Sequence, residues 1–511
     1  MATGKRHGQQ ANMLLNNEQM LRYENLARDK NSNFHSNCKP FVIGELESLK
    51  GYDSLQTPAF LNEKYAYKLF NRHGLGITRS LKIDPIVTLV GGYDLTRSDK
   101  AAETALGASF LYLGKDHFSA RYNIAIINAQ YPYYMDSVIQ KTDIIPQYGY
   151  ADSGRIGYKT LLQTGYLAYA PNKTFRFEAG NGKHFFGDGY RSLLLSDNAN
   201  AYPYFKITTT IWKFKYTNLF AELRDIRGSL GNRQLMEKKY AAFHYLSWNV
   251  TKRFNFSFFE SIVWQSRSKT GGLGYDVNYL NPIVFYRPVE YSVGSPDNAL
   301  LGASFKLKIA KNIQLYSQVL IDEFYLKFLK ERKGWWANKQ GYQAGFKVFN
   351  LFHLNNLYLQ GEANYVRPYT YSHGNSIQNY GHYNQSLAHP LGANFYEAIG
   401  IISYQYQLWF FSTKVNYAKV GLDSSNVNYG QNIYASYTTR PSDFGNFVGQ
   451  GLTTHLIIGE AKVSRLIRPK YNLLLEAGAR YRTQQNLLNT NNTIFIFVGI
   501  RTALSNLYND F

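Results

Sequence analysis

Residues 471–482 read YNLLLEAGARYR, and they decide how the chain is read. Tyr471, Leu473, Leu475, Ala477, Ala479 and Tyr481 fall on one parity. Asn472, Leu474, Glu476, Gly478, Arg480 and Arg482 fall on the other. Successive side chains of a strand point to opposite faces, so such a segment has one lipid-like face and one mostly water-like face. Transmembrane β-barrels are built from many such segments of about ten residues.

The same alternation recurs along the chain. Phe118, Ala120, Tyr122 and Ile124 alternate with Ser119, Arg121 and Asn123; Phe175, Phe177 and Ala179 alternate with Arg176, Glu178 and Gly180. Phe254, Phe256 and Phe258 flank Asn255 and Ser257, and residues 357–365 repeat the pattern. Further candidates fall at 85–94, 104–114, 159–170, 204–216, 217–225, 237–250, 299–309, 311–321, 340–350, 394–404, 405–419, 452–465, 469–482 and 493–502. The expectation is an all-β transmembrane outer-membrane barrel of about 18 antiparallel strands over residues 81–511, with long loops.

Composition agrees with a barrel. The 511 residues include 44 Tyr, 33 Phe and 6 Trp. Mean hydropathy is −0.36, and no run of roughly 18 apolar residues suits a membrane-crossing helix. Aromatics near strand ends, such as Tyr202, Tyr204, Trp212 and Tyr216, fit interfacial girdles. A β-sandwich or propeller is the soluble alternative, but no repeat of blade length is present.

Residues 1–80 read differently, as a partly helical periplasmic segment that plugs or packs at the barrel mouth. Helices are predicted over 17–29 and 59–73 from apolar spacing. Residues 1–10 (MATGKRHGQQ) lack the apolar core of a secretory signal. A processed start, or a true start elsewhere, is therefore expected. Cys38 is the only cysteine, which excludes an internal disulfide and a thiolate metal cluster.

The net charge of +21 suits either a basic lumen facing an anionic surface or binding of an acidic glycan. Nucleic acid is not expected, because no basic helix, zinc spacing or nucleic-acid module is present. Long connections at 126–158, 184–203, 265–298, 322–339, 366–393 and 420–451 are where specificity should sit.

Four segments carry polar chemistry. In residues 182–205, Asp188 sits between two turn glycines, and Arg191 and Asp197 could pair with each other or meet sugar hydroxyls. Residues 280–302 hold three prolines and are expected to fold as a rigid loop into the barrel. There Tyr286, Arg287, Glu290 and Asp297 are candidate glycan contacts, with a bare constriction as the alternative. Asp322 and Glu323 suggest acid–base work, but without a matched second carboxylate they are expected to form lumen salt bridges. In residues 367–397, His373, Asn379, His382 and Asn384 suit a hydroxyl-rich ligand or a self-satisfied loop network. The histidine spacing is not that of a zinc site, and no metal or cofactor is expected. No nucleophile triad, P-loop or HExxH helix appears, so no enzyme is expected.

The segments FGDGYRSLLLSDNA (186–199), NPIVFYRPVEYSVGSPDN (281–298), VLIDEF (319–324), YSHGNSIQNYGHYNQSLAHPLGANFYE (371–397) and NLYNDF (506–511) resemble outer-membrane proteins of Bacteroidota related to the capsule-assembly Wzi family, in particular its gliding-motility RemB type. The resemblance implies a barrel of about eighteen strands with a small helical N-terminal part. It also implies a bacterial outer-membrane location and a role in holding capsular polysaccharide, or an envelope role in gliding. The terminal Phe511 resembles a barrel assembly signal, although the last strand ends well before it.

The expected function is non-enzymatic binding or organisation of surface polysaccharide, supporting gliding or adhesion. Outer-membrane lipid and lipopolysaccharide are the expected surroundings, and secretion or motility proteins are possible partners. A porin or a subunit of a secretion assembly is the rival.

Overall fold

The computed structural model describes residues 11–52, 81–114, 117–229, 231–266, 275–281, 297–323, 325–468 and 472–511. The helix predicted over 59–73 lies outside them. Eighteen antiparallel strands close into one barrel. In chain order these are β1 (Leu81–Asp94), β2 (Asp99–Leu113), β3 (Phe118–Gln130), β4 (Gly157–Tyr169), β5 (Phe175–Gly182), β6 (Tyr202–Ile211), β7 (Phe214–Asp225), β8 (Glu237–Trp248) and β9 (Phe254–Gln265). They continue as β10 (Asn298–Lys308), β11 (Ile313–Glu323), β12 (Lys339–Phe349), β13 (Leu357–Val366), β14 (Phe395–Tyr406), β15 (Trp409–Leu422), β16 (Leu452–Arg468), β17 (Leu473–Gln485) and β18 (Thr490–Thr502). Strand β1 closes the cylinder on β18, from Thr88↔Arg501 to Asp94↔Phe495.

Alternation decides which face each residue takes. In β17, Leu475, Ala479 and Tyr481 are exposed on the outside, while Glu476, Arg480 and Arg482 are buried in the lumen. The outer belt is apolar: Leu106 is 73% exposed, Leu89 60% and Val498 59%. Inside, charges pair across strands. Arg480 meets Glu460 at 2.5 Å, and Arg501 meets Glu103 at 2.6 Å and Glu476 at 2.9 Å. An apolar exterior around a charged interior is the reverse of a soluble protein, and it is stable only where something apolar coats the wall.

The two ends differ. Strand connections such as 212–213, 309–312 and 407–408 lie at one end and are short, whereas 183–201, 367–394 and 423–451 lie at the other and are long. Chain from both ends fills the lumen. Residues 11–52 enter at the short-turn end. Their helix α1 (Asn17–Ala27) is capped by Asn16, whose Oδ1 accepts from Gln19 N at 3.0 Å. They collapse around Met20, Phe34, Phe41 and Leu46. The wall holds them by charge: Glu24, paired within the segment to Lys39 at 2.9 Å, meets Lys347 of the wall at 2.5 Å, and Lys215 of the wall meets Glu45 at 2.6 Å.

From the other end, loop 183–201 runs deep inside. Its Phe185 and Phe186 pair with Lys39 and Cys38 of the N-terminal segment. Leu193, Leu194 and Leu195 lie in a central core with Phe243, Tyr245, Phe259, Leu320 and Val366. Loop 367–394 packs above it through Tyr371, Tyr380 and Leu387. The tail 503–511 is not a strand; it turns back into the lumen, where Tyr508 donates to Asp197 at 2.7 Å.

Candidate functional site

The lumen holds a continuous polar network, built where the loops meet inward strand residues. Arg191 lies at its centre, 3.4 Å from Glu397 and 3.2 Å from Asp510. Its backbone N–H donates to Glu362 at 3.1 Å. Asp510 also takes Lys414 at 2.8 Å, and Glu397 takes His389 at 2.6 Å. Burial pushes the Asp510 carboxyl up, but Arg191 and Lys414 outweigh it and hold the group well below the usual carboxylate range. The suggested Arg191–Asp197 pair does not form. The returning tail supplies Asp510 to Arg191, and Asp197 instead accepts from Asn506 at 2.8 Å and from Tyr508.

The other sequence candidates take separate places. Asp188 accepts from Ser36 at 2.5 Å and meets Lys306 at 3.3 Å, tying the N-terminal segment to the wall. Asp322 and Glu323 share Lys339, at 2.8 and 3.3 Å. Asp322 also accepts from Tyr371 N at 2.7 Å. Asn379 is fully buried and takes Lys239 Nζ on its carbonyl at 2.8 Å and on Oδ1 at 2.9 Å. His382, 1% exposed, accepts from Arg224 N at 3.0 Å. Asn384 donates to Thr142 O at 3.0 Å. His373 accepts from Asn375 N at 3.2 Å and lies 5.8 Å from the Tyr437 ring. Asp297 accepts from Tyr279 at 2.6 Å and from Gln378 at 2.8 Å.

Tyr286, Arg287 and Glu290 lie outside the described residues. The loop carrying them was expected to fold into the lumen, and its described approach runs elsewhere. Tyr279 packs with Phe220, Ala242, Ile262 and Trp264. Ala242 alternates with Ala241 and Phe243 of the central core, so this cluster sits on the outside of the wall.

Burial pushes His382 down to about 3 and His373 to about 4 from 6.5. Both histidines are neutral in the fold, while the opened loop takes up protons first. Loop 367–394 is therefore held best above about pH 6.5 and loses stability as pH falls from there toward about 3. The protection factors of this loop's amides, corrected for the intrinsic exchange rate at each pH, should fall between pH 7 and pH 4.5. His382→Gln should reduce that fall; an unchanged pH dependence of protection would contradict the assignment.

At the long-loop rim, two loops build an aromatic platform that sequence reading missed. Trp335 stacks on Phe328 at 4.5 Å and leans on Phe444 at 4.9 Å. Trp336 lies 4.7 Å from Tyr437, and the Arg440 guanidinium sits 3.9 Å over the Trp336 ring. The indole N–H groups of Trp335 and Trp336 are buried without a hydrogen-bond partner among the described residues. The available signal was the adjacent tryptophan pair within the long connection 322–339. Trp336 is 9% exposed beneath Arg440, which also pairs with Asp443 at 2.6 Å, and Phe444 is the exposed ring of the cluster at 42%. An open ring beside a guanidinium can meet a sugar ring and its polar substituents.

No protein-family model matches the chain, and no curated protein matches it. Among solved structures it is similar to Wzi of Escherichia coli, described as a carbohydrate-binding β-barrel of the outer membrane involved in group 1 capsule assembly. The TM-score is 0.58 at 12% identity, over 97% of this chain and 100% of that one. OccAB2 of Acinetobacter baumannii matches with a TM-score of 0.46 at 8% identity, over 82% of this chain and 96% of that one. OccK8 (OprE) of Pseudomonas aeruginosa matches at 0.45 and 8%, over 83% and 98%. The likeness to Wzi gives this chain the fold of an outer-membrane barrel.

Proposed function

We propose that this chain is a non-enzymatic barrel of a bacterial outer membrane that holds an acidic surface polysaccharide at its long-loop rim. Short turns face the periplasm and long loops the cell exterior in such barrels, which puts the platform outside the cell. The observation that carries the reading is a lumen packed from both ends beneath a rim cluster of aromatic rings, in which Phe444 is exposed beside Arg440. A net charge of +21 favours uronic acid or other anionic sugars. The carboxylates offered for catalysis, Asp322 and Glu323, are tied to Lys339, which supports binding rather than chemistry. Capsule assembly is the proposed setting, with gliding or adhesion as the use of the held glycan.

The test takes the detergent-purified barrel and two soluble polysaccharides, one acidic and one neutral. The acidic one should be retained more strongly, and retention should fall with salt. In planar bilayers the protein should show no stepwise conductance. Conductance steps without glycan retention would replace this reading with a porin.

A further inference from the structure

The wall is incomplete between β4 and β7. The β4/β5 ladder stops at Gly165↔Asn181, and the β6/β7 ladder stops at Tyr204↔Ala221. The flanking ladders run further toward the long-loop end, to Ala129↔Tyr158 and Asp225↔Glu237. Among the described residues, positions 160–164 of β4 have no strand partner on the β5 side. Tyr383 lies beside Arg224 of β7, which leaves about two strand spacings by five residues, an opening of about 10 by 16 Å between chain centres.

Local sequence explains why β5 and β6 stop early. A Cβ at Gly180 would meet the Gly165 carbonyl at 2.2 Å, so the last close approach of β4 and β5 needs glycine. Pro203, near the start of β6, has no N–H for a ladder. Beyond the gap the rim closes again, with Arg233 meeting Asp152 at 3.1 Å. The result is a window rather than an open notch.

The window's frame is polar. Asn181 Nδ2 donates to Gln163 O at 2.7 Å. On the other side Arg224 N donates to His382, and Tyr383 N donates to Arg224 O at 3.0 Å. Behind it lies a cavity of ≈ 460 Å³ lined by Arg121 and Lys183. Arg121 has no carboxylate partner among the described residues, and its Nε is buried without a hydrogen bond. Among the described residues Lys183 Nζ donates to the carbonyls of Gln147 and Asp197, at 2.9 and 3.3 Å. The window's level is that of the outer aromatic belt, since Glu222 beside it is in register with Tyr240.

A strand edge facing hydrocarbon is costly, so the occupant of this window must bring polar groups while lying in the leaflet. Arg121, which has no carboxylate partner among the described residues, and Lys183, which meets carbonyl oxygens, favour an occupant that also brings negative charge. We propose that the window is a lateral binding site for the phosphorylated sugar head of a glycolipid in the surrounding leaflet, with Arg121 and Lys183 as its anion contacts. The inference rests on the membrane placement proposed above and is independent of the rim platform.

The experiment uses the full-length barrel, delipidated in detergent and given a diphosphorylated, acylated glucosamine disaccharide. Native mass spectrometry reads the bound fraction. The wild type should retain about one molecule, and the dephosphorylated glycolipid should be retained at least tenfold less. Arg121→Glu with Lys183→Glu should lower retention at least tenfold. The milder Arg121→Gln with Lys183→Gln should lower it in the same direction should the charge reversals fail to fold. The charge-matched control Lys252→Glu with Lys311→Glu, on short turns, should leave retention unchanged. Equal retention by wild type and the Gln pair, or by both glycolipids, overturns the site. Loss of soluble polysaccharide binding with glycolipid retention intact would remove the rim proposal and leave this one standing.

Discussion

Arg191→Met should destabilise the folded barrel by about 3–5 kcal/mol, the usual cost of removing one partner from a buried ion pair. Methionine fills a similar volume, so lost packing is a small part of the effect. What remains is Glu397 and Asp510 in a water-poor lumen, each deprived of a cation. His389 and Lys414 still hold them in part, which keeps the loss within that range. The measurement is urea unfolding in detergent, read as the gel shift between folded and unfolded barrel. Tail release offers a second readout. With Asp510 depressed, its contribution is present at neutral pH and is lost only as pH falls well below the usual carboxylate range. Without Arg191 the tail should become sensitive to protease at a higher pH than in the wild type. A variant as stable as the wild type at every pH would show that Arg191 does not organise the network.

Trp335→Ala with Trp336→Ala should weaken retention of an acidic polysaccharide by at least about tenfold, since tryptophan and arginine dominate binding hot spots. Arg440→Gln should weaken the acidic glycan more than the neutral one, because it removes the guanidinium above the ring and leaves its partner Asp443, 2.6 Å away, as an unbalanced negative charge. Trp336 is 9% exposed, so its loss should loosen the two loops; the strand ladders lie outside them, and the barrel should still give a folded gel shift. Undiminished retention by the tryptophan pair variant would move the glycan away from this rim.

The barrel was legible because alternation is a local signal. Leu475, Tyr481 and Arg480 report their faces through parity alone, and β7 and β17 lie within a few residues of where the pattern puts them. The short helix over α1 was legible for the same reason. The lumen network was not. Arg191 is bound by Asp510, a residue 319 positions away in the tail, and no periodicity connects the two. His373, Asn379, His382 and Asn384 were legible as a polar loop, but composition does not distinguish a residue facing a ligand from one facing Lys239 or Arg224. The rim platform joins Trp336 to Tyr437 and Arg440 across two loops far apart in sequence, so only the closed cylinder brings them together.

The lumen ion pairs have a consequence for assembly. Glu460 and Arg480 are register partners on β16 and β17. A slip of a single residue between these strands would flip one set of side chains and carry a charge into hydrocarbon, at a cost of a few kcal/mol at mid-bilayer. Misaligned hairpins are thereby penalised before the cylinder shuts, and the same carboxylates and guanidinium groups that knit the interior act as proofreading marks during insertion.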